Sequence, residues 1–410
     1  MLSIRTLLIV LLISYSSFSF SAIRTGRDTL AYSDTTKIDS SKMRDMGDVL
    51  RAIFNKKKNA GHVSTSKKLN ISIVPTVGYT YSTGFTAGAS SVTTFYTQKD
   101  HDKNVSVVNL QAFYDSHEQK TFMTQSNIWA WDDQFKFVTD LRLTKYPDVT
   151  YGLGSASKMS NADDLDYDYL RFYQTILKKV TTNFYAGLGY SLDYHSSITE
   201  TSTPGNTISA FKRYGESPSS RSSGFTMDML YDSRTNPVNA LGGTYANVVF
   251  RQNLKSLGSD SKWSSVQIDI RKYFKLSKYS NNVLAFWSYT WLTLNGKPPY
   301  LDLPSVGNDT YNNTGRGYAI DRFRGRNMLY LESEYRFGVT RNGLIGGVVF
   351  ANVQSYPHSV TTTNINNFNP AAGAGIRIKI NKHSNTNLGI DYGIGTDHSH
   401  GLFVNLGEVF

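Results

Sequence analysis

The sequence predicts an all-β protein, a transmembrane antiparallel β-barrel of about 16 strands. Three observations predict it. From about residue 70 to Phe410 apolar and polar residues alternate with period two. The alternating segments run roughly ten residues or more, the length that crosses a bilayer as a tilted strand. The N-terminus carries an apolar core that stops well short of helical spanning length. The chain of 410 residues holds 27 Tyr, 22 Phe and 32 Gly but no Cys. That composition suits a wall whose lipid-facing apolar row and lumen-facing polar row average to a mildly polar chain.

From the N-terminus, residues 1–21 form an expected secretory signal peptide. Arg5 supplies the basic start and Leu7 to Ile13 the apolar core; Ser19-Phe20-Ser21 before Ala22 forms a small-x-small cleavage site. The absence of Cys excludes a lipoprotein anchor, a disulfide framework, thiolate metal sites and a cysteine nucleophile. It also fits passage through an oxidising periplasm.

Residues 22–69 are expected to be a basic periplasmic tail. The net charge is +11, and residues 22–70 hold 11 Lys/Arg against 5 Asp/Glu. The high isoelectric point therefore belongs largely to this tail and gives no reason to invoke nucleic acid. The tail is a solvated tether, or meets anionic lipid or an acidic partner. Within it Met43, Met46, Val49, Leu50, Ile53 and Phe54 recur at helical spacing, which predicts a short amphipathic helix. Ser40 or Ser41 is the expected cap, and Lys56-Lys57-Lys58 sits where the helix dipole favours cations. A helix this short needs a docking surface: the membrane, the lumen or a partner.

Residues 70–410 are the expected barrel. Phe135, Phe137, Leu141 and Leu143 alternate with Lys136, Asp140 and Arg142. Val266, Ile268 and Ile270 alternate with Gln267, Asp269 and Arg271, and Leu388, Ile390, Tyr392 and Ile394 with Gly389, Asp391 and Gly393. The expected strands are 70–82, 84–98, 103–116, 119–131, 133–145, 163–179, 181–195, 223–232, 242–252, 261–276, 281–296, 327–338, 342–354, 371–381, 385–395 and 400–410. The long connections 146–162, 196–222, 297–326 and 355–370 then share one end. Long loops at one end and short turns at the other mark an outer-membrane barrel. Trp129, Trp131, Trp287 and Trp291 are expected at the lipid interface. Val404, Leu406 and Phe410 are expected on the lipid side of the last strand as a C-terminal assembly signal, although Glu408 breaks that row.

Several stretches together resemble the bacterial surface antigen family, the BamA/TamA-like outer-membrane barrels. They are Pro75-Thr76-Val77-Gly78-Tyr79 with Thr83-Gly84 and Gly88, Tyr146-Pro147 with Tyr151-Gly152-Leu153-Gly154, and Tyr231-Asp232-Ser233-Arg234-Thr235-Asn236-Pro237 with Gly242-Gly243-Thr244-Tyr245. The most specific is Gly315-Arg316-Gly317-Tyr318 with Arg322-Phe323-Arg324 and the strand Glu332-Ser333-Glu334-Tyr335-Arg336-Phe337, which is similar to the family's sixth outer loop and the strand after it. The resemblance implies that Arg316, Gly317 and Tyr318 fold back into the lumen, where Arg316 pairs with a carboxylate on the wall. A guanidinium suits that role because it bonds carboxylates in a fixed bidentate geometry. The family carries Asp on the thirteenth strand, where this chain has Phe350-Ala351-Asn352. Glu332 or Glu334 is therefore expected to supply the charge, with Asn352 as a neutral partner. Only residues 22–70 stand ahead of the barrel, so a barrel-only member lacking the family's periplasmic POTRA domains is expected.

No Gly-x-Ser-x-Gly elbow or glycine-rich phosphate loop is present. Asp163, Asp164, Asp166 and Asp168 are split between faces by the alternation, and His398-Ser399-His400 offers too few ligands for a metal. No catalytic residue, cofactor or metal is expected. The expected function is non-enzymatic assistance in assembling or translocating outer-membrane or surface proteins. The expected setting is the bacterial outer membrane, with its lipid, the barrel assembly machinery and a periplasmic or lipoprotein partner. The alternatives are a passive porin-like channel and a structural or adhesive surface protein acting through loops 196–222 and 297–326.

Overall fold

The computed structural model describes residues 43–53, 69–80, 84–97, 104–116, 118–202, 208–277, 280–357 and 368–410, all within the unit Ser40–Phe410. The expected signal peptide, Ser40, Ser41 and Lys56 to Lys58 lie outside them.

Sixteen strands form one antiparallel sheet in chain order. They are β1 (Asn70–Thr80), β2 (Gly84–Phe95), β3 (Ser106–Asp115), β4 (Lys120–Ala130), β5 (Phe135–Thr150), β6 (Asp163–Thr181), β7 (Phe184–Ser202), β8 (Ser220–Asp232), β9 (Gly243–Asn253), β10 (Trp263–Lys275), β11 (Val283–Gly296), β12 (Asn327–Gly338), β13 (Ile345–Ser355), β14 (Asn369–Asn381), β15 (Thr386–Ile394) and β16 (His400–Leu406). The alternation therefore located every strand, and the corrections are at the ends. β5 runs to Thr150 and β7 to Ser202, past their expected ends at 145 and 195. There the ladder continues through pairs such as Tyr146↔Tyr167 and Asp168↔Ser196. Beyond the hydrocarbon a strand needs no apolar row, so the sequence signal fades while the backbone pairing persists. β16 stops at Leu406 rather than 410.

The two rows face different solvents. Large apolar side chains stand exposed around the circumference, including Leu188 at 64%, Ile376 at 54% and Leu402 at 67%. Charged residues of the opposite parity, such as Asp193, Arg251 and Glu334, are buried inside. Exposed aliphatics on this scale require hydrocarbon outside. No described helix is long and apolar enough to cross a membrane; the strands do so.

The tryptophans correct the expectation. Trp131 is exposed, but Trp129, Trp287 and Trp291 are buried in the interior. Trp129 lies under the Lys136 ammonium, and Trp287 donates from Nε1 to Asp269 at 2.9 Å. Inside a polar lumen an indole gains a hydrogen bond or a cation over its face, which lipid cannot offer.

The amphipathic helix is α1 (Met46–Ile53). Asp45, not a serine, forms its cap: Asp45 Oδ1 accepts from Asp48 N at 2.9 Å, and Asp48 Oδ2 accepts from Asp45 N at 3.3 Å. The helix docks on two short turns. Arg44 N donates to Asn342 O at 3.0 Å, and Lys382 Nζ donates to Asp48 at 2.6 Å. Lys382 and Arg51 hold the Asp48 carboxyl below its ordinary range despite partial burial.

A second helix, α2 (Ala210–Gly215), sits in the long β7–β8 loop and is capped by Ser209 Oγ. Its Phe211 packs with Tyr300, Leu301 and Leu303 in a small apolar cluster at the long-loop end. No ladder joins β1 to β16 among the described residues. Instead β1 approaches β14 and β16 approaches β2, so the edges overlap without pairing.

Candidate functional site

The site is built by the long loop 297–326 between β11 and β12, loop six. Its local turn is fixed by Asp309, whose Oδ1 accepts from Asn313 N at 2.9 Å, Thr314 N at 2.7 Å and Thr314 Oγ1 at 2.8 Å. Gly317 follows with φ +104°, and a Cβ there would lie 2.7 Å from the Ala371 Cβ. Only glycine meets both demands.

Between these points Arg316 enters the lumen with 1% exposure. Its guanidinium bonds Glu332, Glu334 and, at 2.5 Å, Asp391. It also lies 3.8 Å from the centroid of the Phe350 ring. Burial works against the cation, and the three carboxylates outweigh it, so its pKa is raised well above the ordinary value. Asn352 touches Arg316 differently from expectation: its Nδ2 donates to the Arg316 carbonyl at 2.9 Å. Tyr318 is buried against Phe323 and donates to Pro370 O at 2.7 Å.

The other side of the loop reaches the opposite wall. Arg142 on β5 donates to Asn312 Oδ1 at 2.7 Å and to Thr310 O at 2.6 Å. Arg171 on β6 donates to Asn308 Oδ1 at 2.9 Å, and Asn127 on β4 to the Tyr311 hydroxyl at 3.0 Å. Loop six therefore spans the lumen from β12–β15 to β4–β6. Its base is tied down as well. Asp302 accepts from Ser222 Oγ at 2.5 Å and lies 3.6 Å from His195. Burial, then the neighbouring Asp193 charge, pushes the Asp302 carboxyl up to about 7. Arg324 pairs with Asp321 at 2.6 Å and Asp148 at 3.6 Å.

The end of the chain joins the same network. Gly407 has φ +108°, a left-handed value that turns residues 408–410 off the wall. Glu408 accepts from Arg377 Nε at 2.7 Å and lies 3.8 Å from Arg336. Phe410 is buried against Trp287 at 5.2 Å, and its main-chain oxygen accepts from Arg336 at 2.8 Å. Arg336 in turn bonds Glu334, and Arg377 bonds Asp391. Arg316, Glu334, Asp391, Arg336, Arg377 and Glu408 thus form one ionic chain from loop six to the last strand. Such a buried network fixes geometry more than it adds stability. Below the loop remains a cavity of about 250 Å³, lined in part by Lys136, Asp228, Tyr289 and Phe410.

The model of the Omp85 superfamily domain matches residues 78–410. The chain belongs to the Omp85 superfamily. Among solved structures it is similar to BamA from Haemophilus ducreyi lacking POTRA domains 1–3, with TM-score 0.51 and 15% identity over 83% of this chain and 69% of that one. It is also similar to CdiB from Acinetobacter baumannii, with TM-score 0.51 and 10% identity over 84% of this chain and 66% of that one. For CdiB from Escherichia coli the TM-score is 0.51 and the identity 10%, over 82% of this chain and 60% of that one. The chain thus spans roughly two thirds of the length of these structures. Comparison with curated protein sequences gives no match.

In this Omp85 barrel Arg316, Gly317 and Tyr318 converge with Glu332, Glu334 and Asn352. The C-terminal trio does not hold together. Val404 is exposed at 48% on the outer row and Leu406 is half-buried, but Phe410 is inside the lumen rather than on the lipid side. The Gly407 turn is the reason, and Glu408 is its inward anchor. Asp391 is the partner that sequence reasoning missed. Its signal was present, because it lies on the polar row between Ile390 and Tyr392. Among the described residues no three His, Asp or Glu side chains are arranged to hold a metal.

Proposed function

We propose that this Omp85 barrel assists the assembly or translocation of outer-membrane or surface proteins without catalysis, using the unpaired edges of β1 and β16 as its working surface. The long-loop end faces outward, and α1 lies at the periplasmic turns. The observation that carries the reading is that, among the described residues, no ladder joins the first and last strands. An unpaired strand edge presents a row of free backbone donors and acceptors that templates an incoming strand. Pro75 in β1 removes one donor, and the Gly407 turn ends β16 early, so both edges are weakened where they would meet.

A porin-like channel fits less well. Loop six crosses the lumen and Phe410 is buried inside it, so both stand in the path of a solute. Client delivery is assigned to a periplasmic or lipoprotein partner. The barrel assembly machinery and outer-membrane lipid are its other partners.

The test uses the natural absence of cysteine. Paired cysteines placed along β1 and β16 are oxidised in cells. The reading expects locked cells to lose client assembly and to recover it on reduction. Unchanged growth and client assembly with a fully formed crosslink would overturn it.

A further inference from the structure

The long-loop ends of β8 to β11, together with the two ends of loop six, carry a band of cations outside the Arg316 network, of which Lys297 also bonds the Tyr214 carbonyl. On β8, Ser222, Thr226 and Asp228 are buried while Met227 and Met229 are exposed, so Arg221 belongs to the lipid-facing row. Lys255 and Lys262 flank the β9–β10 turn, Lys297 follows β11, Arg326 precedes β12 and Arg213 lies on α2. Arg326 is half-buried and the others are exposed.

Local bonds bring these residues together. Arg221 N donates to Asp260 at 2.6 Å, Ser261 Oγ to Lys297 O at 3.0 Å, and Arg326 to Gly296 O at 2.7 Å. Tyr214 on α2 donates to Pro298 O at 2.8 Å, which places Arg213 beside the same loop. The exposed carboxylates among them are Glu216 and Asp260, and Asp260 is engaged by the Arg221 main chain. Glu200 is buried and holds Lys212. By contrast, the outer part of β6 exposes Asp166 and Asp168. The rim is thus electrically polarised.

Depth indicates the partner. Beside the cations Leu257 is exposed at 45% in the turn between Lys255 and Lys262, and Leu294 at 44% three residues before Lys297, while further down the outer row of β8 Met227 is exposed at 51%. A cation whose stem lies on hydrocarbon and whose head rises to the interface sits at the level of lipid phosphates. The Arg221 guanidinium is held 4.8 Å from the Tyr194 ring centroid, which fixes its direction without neutralising it.

We propose that the rim over β8 to β11 binds the phosphate groups of an anionic glycolipid in the outer leaflet. The proposal rests on the orientation given above, with the long loops outside. A Ser256→Cys variant labelled on intact cells by an impermeant reagent checks that orientation separately from the lipid. Failure to label would sink orientation and proposal together, whatever the seam does.

The lipid test uses the purified full chain in nanodiscs of zwitterionic phospholipid, titrated with diphosphoryl lipid A and followed by native mass spectrometry. The triple variant Arg221→Gln, Lys262→Gln, Lys297→Gln is compared with wild type. At about 1 kcal/mol for each interfacial cation, it should bind about a hundredfold more weakly. Dephosphorylated lipid A should bind wild type as weakly. Asp166→Asn with Asp168→Asn should leave binding no weaker than wild type. If the triple variant does not fold, Arg221→Gln alone should lose about fivefold on the same scale. Equal binding of wild type and folded variant, of both lipid A forms, or of phosphatidylglycerol and lipid A would overturn the assignment.

Discussion

Glu408 accepts a hydrogen bond from Arg377 Nε at 2.7 Å, and that pair draws the end of the last strand off the barrel wall. Asn387 holds the other carboxylate oxygen at 2.5 Å. An acidic residue that would interrupt a lipid-facing row is thereby the inward anchor of residues 408–410. Replacing it with the aliphatic residue that a continuous row would carry, Glu408→Leu, should release Phe410 from Trp287. Hydrogen exchange at residues 408–410 should rise, with a cost of about 1–3 kcal/mol for the lost charged bonds. Unchanged protection would show that Phe410 alone holds the segment.

The turn that permits this anchor depends on Gly407, whose φ of +108° is strained for any side-chain-bearing residue. Gly407→Ala should cost about 1–3 kcal/mol. The temperature at which the barrel unfolds in a heat-modifiability gel should fall, and the end of the chain should become accessible to carboxypeptidase. A variant with wild-type thermal behaviour would contradict the turn.

Arg316 is held by three carboxylates on two strands, β12 and β15. Arg316→Ala leaves those carboxylates uncompensated and should destabilise the barrel by about 3–5 kcal/mol. Arg316→Lys keeps the charge but not the fork and should recover only part of that loss. Chemical denaturation in detergent checks both variants. Complete rescue by lysine would mean that charge, not geometry, fixes the loop.

Asp302 gives the base of loop six a pH dependence. Its carboxyl keeps its proton up to about pH 7 in the folded loop, against 3.8 for an unperturbed Asp. The folded form binds the proton more tightly, so docking is strongest below pH 3.8 and weakens as pH rises to about 7, with no further loss above. His195, Asp193, Arg171 and Arg251 surround the group and set the background. Asp302→Asn should flatten the profile between those limits. Limited proteolysis of loop six across pH is the readout, and an identical slope in the variant would remove Asp302 as its source.

Much of this fold was legible because most strands set an apolar row against a charged one. Ile376, Arg377 and Ile378 declare their faces, and so do Ile390, Asp391 and Tyr392. β11 does not. Its inward row holds Val283, Ala285, Trp287, Tyr289 and Trp291, and its outward row Leu284, Phe286 and Leu292, so both read as apolar. That is why Trp287 and Trp291 were expected at the lipid interface. Loop six was legible through the family resemblance of its glycine-flanked arginine, which implied a carboxylate partner and, with Asn352 in place of the family's Asp, pointed to Glu332 and Glu334. Asp391 escaped because it is remote in sequence and becomes a neighbour only when β13 and β14 bring β15 round the wall. The inward turn of the last residues was hidden for a related reason. Its cause is a backbone angle at Gly407 and a pair of distant arginines, neither of which alters the alternation.

Among the described residues no ladder joins β1 to β16. Backbone amide exchange of the purified barrel, resolved by residue, tests it most directly. The account predicts strong protection along β2 to β15 and rapid exchange at the seam-facing amides of β1 and β16. Protection at those edges equal to that of β8 or β10 would mean a closed ladder and would contradict it.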